Sequence, residues 1–94
     1  MYKIKYTPLA ENDLISVLEH YYSLDINIFK NFLFSISKIE TQIKVGPEIY
    51  RIRYKNYRRV NLHKFPYALF FEIIDKEIII LRILHQKQDP IFWP

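Results

Sequence analysis

Ninety-four residues, half of them apolar and about a quarter charged, suffice for one small domain over 1–94 and leave no room for a second. The absence of Cys excludes disulfide scaffolds, thiolate zinc sites and thiol nucleophiles, and a single Gly cannot build the loops that cradle phosphates or dinucleotides. The formal charge of +4 is concentrated: Lys44 to Lys64 carries seven basic residues and one acid, Glu48, a local charge of +6, while the remainder sums to −2.

Tyr2 to Tyr6 alternates Tyr2, Ile4 and Tyr6 with Lys3 and Lys5, the period of a half-buried strand. Thr7-Pro8 reads as a helix start, Thr7 capping free amides and Pro8 pre-set for the first helical position. Ala10, Leu14, Val17, Leu18 and Tyr21 then form one apolar stripe, with Glu11, Asp13, Ser16 and Glu19 pointing elsewhere. Ser23 to Asn27 reads as a break, Asp25 capping a second helix to about Val45 whose stripe is Phe29, Phe32, Leu33, Ile36, Ile39 and Ile43. Gly46-Pro47 ends that helix, Gly46 being expected in the left-handed conformation that favours glycine.

After Pro47 the period becomes two. Ile49–Tyr54, Arg58–Lys64, Tyr67–Ile74 and Ile78–His85 read as strands, turning at Lys55-Asn56, near Phe65-Pro66 and at Asp75-Lys76. Connections this short require antiparallel neighbours. The expected fold class is α+β: β-α-α-β-β-β-β, a helical hairpin packed on one face of a twisted, mainly antiparallel sheet.

Alternation assigns Tyr50, Ile52, Tyr54, Val60 and Leu62 to the core and gathers Arg51, Arg53, Arg59, Asn61 and His63 on the opposite face. That cationic surface suits an anionic partner, a nucleic acid or an acidic protein segment, with Tyr57 and Tyr67 available for stacking; the alternative is a solvated face with ordinary aromatic packing. Arg82, inside an apolar strand, either faces the open side or pairs with an acid such as Glu72. His85, at a strand end beside the basic face, is placed for proton transfer or is a plain surface histidine. Phe92 and Trp93 near the terminus contact a partner or pack back on the helices. His20, His63 and His85 lie far apart in sequence, so no metal is expected, nor any other cofactor. The N-terminus lacks a secretory pattern and no apolar run reaches bilayer length, so the expectation is a cytoplasmic protein with no membrane partner.

Four stretches together carry a family resemblance: Tyr6-Thr7-Pro8-Leu9-Ala10-Glu11-Asn12-Asp13-Leu14; Gly46-Pro47; Tyr57-Arg58-Arg59-Val60-Asn61-Leu62-His63-Lys64-Phe65-Pro66-Tyr67-Ala68-Leu69-Phe70-Phe71-Glu72-Ile73; and Ile80-Leu81-Arg82-Ile83-Leu84-His85-Gln86-Lys87-Gln88-Asp89-Pro90. Over almost its whole length the chain resembles the RelE/ParE toxins of bacterial type II toxin–antitoxin systems. The resemblance implies a toxin held inactive by a cognate antitoxin, with a target in translation or DNA topology: RelE-like members cleave mRNA at the ribosome, and ParE-like members inhibit DNA gyrase.

Metal-free RNA cleavage needs a base, phosphate-binding cations and an acid. At the positions the resemblance aligns with such enzymes, Ala68 replaces an arginine, Arg59 and Asn61 stand in for lysines, and Gln88 falls near a C-terminal arginine. Glu48 matches a glutamate used by other ribonuclease members, and His85 approximates their histidine. A ribonuclease would therefore use Arg59 and Arg82 on phosphate, with His85 and Glu48 exchanging protons. The Arg58-Arg59 strand and the ending from His85 to Asp89 look more like the ParE branch, where target binding would fall to Arg51, Arg53, Arg58, Arg59, Asn61, His63, Arg82, Gln86 and Lys87. A toxin retaining only antitoxin binding is the third reading, and the oligomeric state is left open.

Overall fold

Lys3 and Lys5 point outward from the first strand while Ile4 and Tyr6 turn towards the core, and the computed structural model, which describes residues 2–88, builds outward from that strand. The elements are β1 (Lys3–Tyr6), α1 (Pro8–Leu24), α2 (Ile26–Val45), a 3₁₀ turn (Pro47–Ile49), β2 (Ile52–Tyr54), β3 (Tyr57–Asn61), β4 (Tyr67–Ile74) and β5 (Glu77–His85). They form one five-stranded sheet in the order β1-β5-β4-β3-β2, parallel between β1 and β5 and antiparallel elsewhere. This is the expected α+β architecture. Among the described residues, no helix is long and apolar enough to cross a membrane.

Thr7 caps α1 through its hydroxyl, which accepts from the Ala10 amide and donates to the Leu81 carbonyl, so the cap also ties the helix to β5. The expected five-residue break between the helices shrinks to Asp25 alone. Its amide donates to Tyr21, its carbonyl accepts from Phe29 and its carboxylate accepts from the Asn27 amide, so one extended residue ends α1 and starts α2.

The core joins Ala10 and Val17 of α1 to Phe32, Ile36, Ile39 and Ile43 of α2, against Val60, Leu69, Phe71, Ile78, Ile80 and Ile83 of the sheet and Leu62 of the following loop. Two members of the expected α2 stripe lie outside it: Leu33 is 41% exposed, and Phe29 packs edge-on against Tyr22. Both flank the stripe, and the sheet covers a narrower arc of the helix than the hydrophobic pattern spans.

Several boundaries differ from expectation. Gly46 has φ −157°, extended and not left-handed, because Pro47 disfavours the helical region in the residue before it. Pro47–Ile49 is a 3₁₀ turn, leaving β2 only three residues, and Ile52 is 48% exposed and not a core residue. β3 begins at Tyr57 and stops at Asn61, so His63 and Lys64 belong to a loop. With so little glycine, positive φ falls to Lys55, Lys64 and Asp75, two of them opening the tight β2–β3 and β4–β5 turns.

The sheet face away from the helices is not simply polar. Ala68, Phe70 and Leu84 form a second buried cluster there, so β4 is buried at four consecutive positions, 68–71. A bulge on β5 leaves Leu81 without a partner and brings Arg82 into register with Phe70, where an unbroken ladder from the Phe71–Ile80 pair would have set Leu81 opposite Phe70 and Arg82 opposite Leu69.

Candidate functional site

The five arginines fall into two groups. Arg58 donates to the carbonyls of Glu48 and Tyr50 at 3.0 and 2.7 Å, fastening the 3₁₀ turn to β3. Arg59 donates to the Asn61 side chain and the Gln86 carbonyl, and its guanidinium lies 5.5 Å from the centre of the Phe70 ring. Arg82 and Asp13 form a two-pronged ion pair at 2.7 and 3.1 Å, and the same carboxylate accepts from the Ile83 amide at 3.0 Å. The hydrogen bond to Asp13 raises the Arg82 pKa against an opposing desolvation. The partner acid is thus Asp13 of α1, and not Glu72.

Arg51 and Arg53 form the other group: both are exposed and neither has a hydrogen-bond or ion-pair partner among the described residues. Arg51 immediately precedes the sheet-edge strand β2 and Arg53 lies on it, near Lys55, which sits over the Tyr54 ring, and the Tyr54–Tyr57 ring pair. No acid occurs from Ile49 to Phe71. Short length, a register irregularity between Ile52 and Tyr54, and arginines make β2 a poor template for adding a strand, so what this edge offers is its side chains.

At the far end of β5, His85 packs against Tyr67, and its Nδ1 accepts from the Lys87 amide, which places the neutral ring's proton on Nε2. Gln86 donates from its side chain to the carbonyls of Phe65 and Tyr67 and from its backbone to Pro66, bracing the β3–β4 loop, while Lys87 is exposed. Asn61 is exposed and held by Arg59.

Glu48 lies elsewhere. It accepts from the Tyr2 hydroxyl, a contact that raises the tyrosine's pKa, and its carbonyl holds Arg58, placing it near the start of β5, whereas His85 ends that nine-residue strand. Of the four ribonuclease candidates, Arg59 and His85 lie towards one end of the sheet, Arg82 is engaged by Asp13, and Glu48 sits at the other end. Tyr6 donates to Glu40 at 2.6 Å, and burial together with that bond pushes its pKa well up.

His63 is set apart from the strand arginines: with Lys64 and Phe65 it lines a groove of about 430 Å³ against α2. The sequence reading missed this groove because it extended β3 through His63. It missed Asp13 too, which lies off the apolar stripe; the available signal was a lone cation in an apolar strand, which demands an acid somewhere. Among the described residues no group of His, Cys, Asp and Glu could hold a metal. Asp89, Pro90, Phe92 and Trp93 lie outside the described residues.

A two-helix hairpin on a sheet of this order is the RelE/ParE-like fold. The family model for the ParE toxin of the type II toxin–antitoxin system parDE matches residues 4–90, and the chain belongs to that family. Among solved structures, the chromosomal ParDE system from P. aeruginosa is similar at 25% identity and a TM-score of 0.75, over 90% of this chain and 96% of that one. The intact E. coli RelBE toxin–antitoxin complex shares the fold at 15% identity and a TM-score of 0.60, over 94% and 100% of the two chains. YafQ from E. coli strain BL21(DE3) does so at 17% and 0.60, over 92% and 94%. No curated protein matches the chain in sequence.

Proposed function

We propose that this ParE-family toxin is neutralised by a cognate antitoxin and, when free, arrests growth by binding a macromolecular target, DNA gyrase, without cleaving RNA. The family match over residues 4–90 carries this reading. The placement of the charged residues supports it: Glu48 and His85 stand at opposite ends of β5, and Arg82 is engaged in an ion pair that ties α1 to the sheet. A binding mechanism needs only an exposed complementary surface, and the Arg51–Arg53 edge with Lys55 provides one, since guanidinium groups grip carboxylates and phosphates with two parallel hydrogen bonds.

The test pairs two assays on the protein expressed without its antitoxin. Inhibition of gyrase supercoiling, together with growth arrest and no new mRNA 5′ ends, is the expected result. An Arg51→Glu/Arg53→Glu double variant should keep its melting temperature and weaken inhibition by about tenfold or more, with a reduced salt dependence. New 5′ ends within translated messages, with supercoiling intact, would replace this reading with mRNA cleavage. Antitoxin binding without any growth arrest would leave the third reading.

A further inference from the structure

The outer face of the helical hairpin carries one pattern twice. On α1, Ile15, Leu18, Glu19 and Tyr22 stand at i, i+3, i+4 and i+7, and on α2, Ile26, Phe29, Lys30 and Leu33 repeat that spacing. Residues so spaced share one side of a helix. The two sides meet in a groove of about 330 Å³ between the helices, lined by the α1 set and by Phe29. Ile15, Tyr22, Ile26 and Leu33 are all exposed although each is large and apolar, Tyr22 by 63%. The third position of the pattern is its charged one, an acid on α1 and a base on α2.

That difference extends along both helices. The acids of α1 are Glu11, Asp13 and Glu19, and it has no Lys or Arg, whereas α2 has Lys30, Lys38 and Lys44 against Glu40 alone. Asp13 is engaged by Arg82 and Glu40 by Tyr6. Glu19 and Lys30 are exposed, and neither has a hydrogen-bond or ion-pair partner among the described residues. The apolar groove thus has one negative rim and one positive rim. A partner of a single sign would satisfy one rim and oppose the other. A second copy of this chain satisfies both, because each rim is the complement of the other.

The turn sets the register of such a contact. The chain reverses at Asp25 alone, so Glu19, six residues before it, and Lys30, five after it, sit at about the same level of the hairpin. A two-fold axis running along the groove lays α1 of one copy over α2 of the other at that level, whereas an axis across the groove would set acidic helix against acidic helix. We propose that the chain self-associates through the outer face of the α1–α2 hairpin, as a two-fold dimer in which Ile15, Tyr22, Ile26 and Leu33 pack between the copies and Glu19 of each pairs with Lys30 of the other. Each helix contributes about two turns, roughly 12 Å, which places the contact in the small, exchanging class of interfaces. None of these residues lies on the sheet, so the Arg51–Arg53 edge stays outside the contact.

Sedimentation equilibrium of the purified full chain tests this. A monomer–dimer equilibrium with a dissociation constant of about 1–100 μM is expected. Glu19→Lys and Lys30→Glu should each weaken it about tenfold, since one substitution creates two like-charge pairs in a two-fold contact. The combined Glu19→Lys/Lys30→Glu chain should return to within about threefold of wild type, and Tyr22→Ala should weaken association by about tenfold or more. Both charged side chains are exposed, so the melting temperatures of their variants, measured where the chain is monomeric, should match wild type. A wild-type chain that stays monomeric up to about 1 mM would overturn the dimer. So would a dimer that the single charge variants leave intact, or one that the combined variant fails to restore.

Discussion

At the scale of single residues, Asp13 joins α1 to the edge of β5. Its carboxylate serves the Arg82 guanidinium and the Ile83 amide in a site where the ion-pair side chains are only 23% and 16% exposed. Asp13→Ala leaves both donors without their acceptor, and urea unfolding should show a loss of about 2–3 kcal/mol. Tyr6 makes a pH-dependent contribution. Its hydroxyl is held protonated in the folded chain by burial and by Glu40, so its folded pKa is raised above the unfolded value of 10.0. The contribution is fully present below pH 10; above it the unfolded chain releases the proton first and stability falls as pH rises. Tyr6→Phe should therefore cost about 1 kcal/mol at neutral pH and show a shallower decline between about pH 10 and 12 in denaturant titrations. Asp13 illustrates what a linear reading cannot reach: Arg82 announces the need for an acid, but only the folded path of α1 across the end of β1 selects which one.

Among the elements, α2 is the one whose two ends the sequence foretold unequally. Asp25 caps it as expected, and Asp25→Ala should lower stability by about 1 kcal/mol. Gly46 does not use its left-handed freedom, and a Cβ built there would meet only the Ile49 side chain at 3.7 Å. Gly46→Ala should consequently be neutral or stabilising by up to about 1 kcal/mol, where a left-handed Gly46 would have made it destabilising by a similar amount; thermal melts of the two variants side by side distinguish the cases. Strand boundaries were legible where alternation met a real turn, as at Tyr67–Ile74, which begins after the loop at Phe65-Pro66 and ends before Asp75-Lys76. They were not legible at Ile49 and His63, where the same alternation continues into a 3₁₀ turn and a loop, because residue type alone does not reveal where a neighbouring strand ends.

For the whole molecule, element order and layer arrangement followed from hydrophobic period and turn residues, whereas the site depended on which cations the fold engages for itself. Arg51 and Arg58 look alike in sequence, and only the carbonyls of Glu48 and Tyr50 separate them. The sheet order has a further consequence in time. β1 finds its parallel partner in β5, the last strand, and β5 also completes β4. Seventy-one positions separate Tyr6 from Glu77, so at a synthesis rate of about 5–20 residues per second the first strand waits roughly 4–14 s for its neighbour. A chain interrupted before Glu77 lacks the one strand that pairs with both β1 and β4, so its first strand has no neighbour to join until synthesis is nearly finished.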